Sequence, residues 1–169
     1  MMRFPTRQVT LAGMFIALGV LFPVLFHAIG AGSIFLPMFW PVALATFYLS
    51  LPVAAAVALI TPLLSTLLTG MPPLSPPIMH LIMVELIVLA SITGYLHHHH
   101  RWGLFWSLAA GLFFSRIALF VATVPLAELL GLPPALTSGI MVIKGLPGII
   151  LMLFIIPVFV NRTTHRRLF

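Results

Sequence analysis

The chain has 169 residues, 62% hydrophobic and 6% charged, with a formal net charge of +6 and a mean hydropathy of +1.22. A soluble domain carries about 25% charged residues, so this composition excludes one and defines an integral membrane protein. The basic residues are scattered, most of them flanking apolar runs, which is a topology pattern and not a nucleic-acid signal; the lack of cysteine excludes disulfides and thiolate metal sites.

A helix needs about 20 apolar residues to cross a hydrocarbon core of about 30 Å. The first such run covers 8–29. It shows no small-residue cleavage site leading into a soluble domain, so it is read as a retained helix and not a signal peptide. A longer apolar stretch, broken at Ser50-Leu51-Pro52, predicts two short helices over 37–51 and 53–68. Their length implies local bilayer thinning or a re-entrant hairpin. The sequence TGMPPLSPP over 69–77 predicts a rigid, proline-rich loop. A fourth helix is expected over 78–96, followed by four histidines and Arg101, and a fifth over 102–124. A loop over 126–134 carries Glu128, and a sixth helix over 137–160 is expected to kink at Pro147. The expected fold is all-α: a single domain over 1–169, forming a compact bundle of six transmembrane helices. Arg3 and Arg7 precede the first helix, Arg101 separates the fourth and fifth, and Arg162, Arg166 and Arg167 follow the sixth. With six spans these fall on one side, which the positive-inside rule makes cytoplasmic together with both termini.

Three charges fall inside apolar helices. At ~1.5 Å per residue, Glu85 lies roughly 12 Å from the outer end of its helix, Arg116 roughly 13 Å and Lys144 roughly 10 Å. Facing lipid, each would cost on the order of 3 kcal/mol, so the three are expected to face one another or a water-filled cavity. A structural ion pair would satisfy that cost alone. A shared level in the outer half of the membrane favours a polar pocket open to the outside, with a net positive charge that an anionic ligand group balances. His27, Met38, Trp40 and His80 border the same region and are candidate ligand contacts. Aromatic and Met side chains at a pocket mouth suit flat, partly apolar ligands. Trp40 equally suits an interfacial anchor, and His27 and His80 equally suit hydrogen bonds between helices.

Gly13 and Ala17 form a small-xxx-small pair on the first helix, which lets another helix approach closely. Ala54, Ala55, Ala56 and Ala58 make a second smooth face. Consecutive helical side chains point about 100° apart, so His97, His98, His99 and His100 do not converge on one ion. No metal site and no cofactor is expected. HExxH, GxSxG and phosphate-binding glycine loops are missing, and no Asp is available for a Ser/His/Asp triad.

Taken together, the stretches IFLPMFWPVALATFYL, LITPLLSTLLTGMPPLSPP, MVELIVLASITGYL and KGLPGIILMLFIIP resemble the substrate-binding S components of energy-coupling factor (ECF) vitamin transporters. The resemblance implies a high-affinity capture subunit that is not an enzyme. It would bind a vitamin or vitamin precursor in an outward-facing pocket of a prokaryotic plasma membrane. Delivery would require a transmembrane coupling subunit and two ATPases. In that family an AxxxA pattern on the first helix contacts the coupling subunit, and Gly13 and Ala17 occupy the matching place. The family's ligand site lies where Glu85, Arg116 and Lys144 fall. Within LPM-x-x-PV the position expected to be His is Phe39, so the substrate of relatives does not transfer. A corrinoid would have no thiolate ligand here, only a histidine such as His27 or His80. The competing readings are a self-sufficient secondary transporter or channel using Glu85 as an ion or proton relay, a scaffold subunit whose charges only join helices, and an intramembrane enzyme.

Overall fold

The computed structural model describes residues 5–75, 77–123 and 143–165. In hydrocarbon every backbone N–H and C=O must be paired within the chain, and the described residues are helical with no strand. The elements are α1 (Thr6–Ala28), α2 (Gly32–Phe35), α3 (Phe39–Tyr48), α4 (Leu51–Thr69), α5 (Ile78–His98), α6 (Leu104–Thr123) and α7 (Leu146–His165). Five of them, α1, α4, α5, α6 and α7, are long and apolar enough to cross a membrane. The expected end of the fifth helix at 124, the loop with Glu128 and the expected start of the sixth at 137 lie outside the described residues. So do Arg3, Arg166 and Arg167.

The region between α1 and α4 differs from two simple short spans. A single turn, α2, leads to Leu36, whose φ of 49° is left-handed, and α3 begins only at Phe39. Leu49 and Ser50 are both extended, with ψ of 155° and 153°, and separate α3 from α4. The break therefore precedes Pro52, which sits in the first turn of α4, where its missing N–H leaves nothing unpaired. Gly70 closes α4 at φ 73°, its N–H bonded to the Thr66 carbonyl at 2.9 Å.

The core is built around α3. Its ten residues span about 15 Å, half of a bilayer core, and it packs against α1, α4, α5 and α7. Phe39, Val42, Ala43, Ala45 and Thr46 are at most 2% exposed. Enclosed on nearly every side, α3 is held at both ends by protein groups. At one end the Trp40 indole N–H donates to the Phe35 carbonyl at 2.9 Å. At the other, His98 Nε2 donates to the Thr46 carbonyl at 2.9 Å, and the Tyr48 and Thr163 hydroxyls meet. Ser50 Oγ donates to Gln8 Oε1 at 2.8 Å beside them, tying α1 to the start of α4.

Two glycines set close approaches. Gly111 brings α6 against Thr93 and the Leu89 carbonyl of α5, the most extensive helix pair. A Cβ on Gly148 would lie 2.8 Å from the carbonyl oxygens of Ile34 and Phe35, so the glycine lets α7 rest on α2. Pro147 lies in the first turn of α7, just after a turn at Gly145, and Pro157 is the proline in the interior of that helix. By contrast α1 buries only Phe15, Gly19 and Pro23. Its opposite face, with Val9, Met14, Leu21 and Leu25, is exposed, and Gly13 and Ala17 belong to that face.

Candidate functional site

The ends of α1, α4 and α6 meet the starts of α3, α5 and α7 around a cavity of about 310 Å³. That is at the small end of the ~300–1,000 Å³ typical of small-molecule sites. Pro23 and His27 of α1 form one wall. Leu36, Met38 and Phe39 contribute from the α2–α3 corner, with Gly32 and Ser33 beside them. Met71, Pro72 and Pro73 enter from the loop after α4. Ile78, Ile82 and Glu85 of α5 follow at helical spacing, and Arg116 and Leu119 of α6 and Lys144 ahead of α7 complete the described lining.

Glu85 and Arg116 are brought together. Arg116 Nη2 approaches Glu85 Oε1 at 2.6 Å, and their side chains are 9% and 4% exposed. The approach is close but poorly aligned: Glu85 Oε1 and Arg116 Nε and Nη2 all lack a hydrogen-bond partner in good geometry among the described residues. Buried charged donors left in that state are costly. The guanidinium carbon also sits 5.0 Å from the centre of the Phe39 ring, a cation–π position. The residue that replaces the expected His of LPM-x-x-PV thus packs on the pair's cation. Lys144 is exposed and lies on the cavity wall without entering the pair.

His27 and Met38 also line the cavity, and His27 Nδ1 lies 2.7 Å from the Pro23 carbonyl. Trp40 is turned to the Phe35 carbonyl and is not on the described lining; His80 is exposed and off it as well. His80 is five residues before Glu85, about 140° around the helix from it. Leu36, Ile82 and Leu119 were not singled out from sequence. Ile82 and Leu119 are each three residues from a buried charge, on the same helix face, and that spacing was the available signal. Among the described residues no group of three or more His, Asp or Glu is placed to hold a metal ion.

Fold and site together define a polytopic membrane protein with a ligand-sized, mostly apolar cavity and a buried ion pair at one end. The family model for the substrate-specific component of ECF transporters matches residues 7–160, and the chain belongs to that family. It is a substrate-specific component of membrane transport, and such components work with a module of transmembrane and ATPase subunits. No curated protein and no solved structure matches the chain.

Proposed function

We propose that this protein is the high-affinity capture subunit of an ATP-driven importer, and that it takes up a vitamin or vitamin precursor in the cavity bounded by Glu85, Arg116 and Lys144. The observation that carries the reading is Arg116: a nine-tenths buried cation, paired with Glu85 and with no partner for Nε among the described residues, on the wall of an otherwise apolar cavity. The cavity end faces outward and both termini are cytoplasmic, because Arg7, Arg101 and Arg162 all lie at the opposite end of the bundle. The membrane is the plasma membrane of a prokaryote. A transmembrane coupling subunit docks on the exposed face of α1 at Gly13 and Ala17, where a Cβ on Gly13 would meet nothing within 4 Å, and two ATPases power release inside.

Reconstitution separates this from a self-sufficient transporter or channel with Glu85 as relay. Proteoliposomes holding the chain alone should bind substrate without accumulating it, and accumulation should need the coupling subunit, the ATPases and ATP. Uptake by the chain alone would contradict the proposal.

A further inference from the structure

The cavity's polar groups are few, and each admits one kind of partner. Arg116 Nη2 lies 2.6 Å from one Glu85 oxygen, while Nε has no acceptor among the described residues. A guanidinium edge matches a two-oxygen anion. Lys144 adds a second cation on the same wall. Among the described lining residues Glu85 offsets one of these two charges, and the one left over is balanced by a single negative charge.

The other wall reads differently. His27 Nδ1 lies 2.7 Å from the Pro23 carbonyl oxygen. A carbonyl only accepts, so Nδ1 donates to it and Nε2 is the ring nitrogen left for a ligand. The ring lies flat over Gly32, where a Cβ would come within 2.7 Å of that Nε2. Helix α1 packs on α2, α3 and α4, whereas α6 packs on α5 and α7, so the His27 acceptor and the Arg116 donors belong to different walls. Between them the surface is Phe39, Met38, Ile82 and Pro72, which suits a flat apolar body. A volume of about 310 Å³ is at the small end for a ligand site and suits a compact body.

We propose that the cavity selects a compact, flat-bodied monoanion whose carboxylate caps Arg116 and Lys144 while an N–H or O–H at its far end donates to His27 Nε2. This rests on the capture reading above and narrows its substrate class.

The test uses the purified full chain in detergent and four probes of one shape: 4-hydroxybenzoate, 4-hydroxybenzamide, 4-hydroxybenzylamine and 4-methoxybenzoate. Calorimetry should show 4-hydroxybenzoate binding at least about tenfold tighter than the amide or the amine, the size of a charge-assisted hydrogen bond. It should exceed 4-methoxybenzoate by about fivefold, the size of a neutral one. The first preference should collapse in Arg116→Gln and shrink in Lys144→Gln, which leaves the buried pair untouched. The second should vanish in His27→Phe. An amide or amine that binds as well as the acid, still dependent on Arg116, overturns the monoanion but leaves capture standing. Equal binding of the methoxy and hydroxy acids overturns the role of His27. Binding of none of the four, with a non-anionic compound retained through purification, overturns the inference alone; with nothing retained, the capture reading falls too.

Discussion

The two ends of this bundle solve the same problem in opposite ways. At the end holding His98, Tyr48 and Gln8, polar groups meet one another: His98 with the Thr46 carbonyl, Tyr48 with Thr163, Ser50 with Gln8. Each joins two helices, and none borders the cavity of about 310 Å³. At the other end a charged pair is buried, and Arg116 Nε has no partner among the described residues at a cavity wall. A closed polar layer stabilises; an open one is available for a ligand. The difference teaches where to look for function in a chain this apolar: at buried polarity that the protein itself does not complete.

Substitutions can break that contrast. The largest effect is expected from removing one member of the pair. Glu85→Leu or Arg116→Leu alone strands a buried charge and should destabilise by about 3–5 kcal/mol, while the double variant should regain most of that stability. If the pair were only glue, the double variant would also keep ligand binding; the account expects binding to be lost. Thermal melts and binding isotherms on the three variants decide this. Next comes Gly148→Val, which drives a side chain into the Ile34 and Phe35 carbonyls. It should cost about 1–3 kcal/mol and weaken binding by moving α2 and Leu36 off the cavity, both readable in the same assays.

At the opposite end His98→Ala should cost about 1 kcal/mol by freeing the last turn of α3, with affinity unchanged. A large loss of affinity there would erase the distinction between the ends. The smallest effect on the fold is expected for Gly13→Leu, which meets open space and should change stability by no more than about 0.5 kcal/mol. It should leave binding intact and still abolish uptake in the reconstituted complex, because only the coupling subunit would feel it. Normal uptake would remove α1 from the docking role.

Much of this was legible in the sequence, for physical reasons. A bilayer imposes helices and their length, so apolar runs and proline breaks outline most elements. The cost of charge in lipid made Glu85, Arg116 and Lys144 visible before any packing was known, and counting along helices placed them at one level. What the sequence hid were rotations and corners. The turn at Leu36 needs a left-handed non-glycine residue that composition does not signal. Trp40 and His98 point at the ends of α3 because that helix is enclosed and short. Nothing in a row of histidines distinguishes the one that donates to the Thr46 carbonyl from the one at the Trp102 carbonyl. Phe39 read as a departure from a motif, whereas its ring faces Arg116.

The most direct test is mass spectrometry of the small molecules released by denaturing purified wild-type protein, beside the Glu85→Leu/Arg116→Leu double variant. One compound at near-stoichiometric amount is expected from the wild type and none from the double variant, although both are folded. The same compound from both, or no compound from the wild type together with no binding across a vitamin panel, would contradict it and return the pair to a purely structural role.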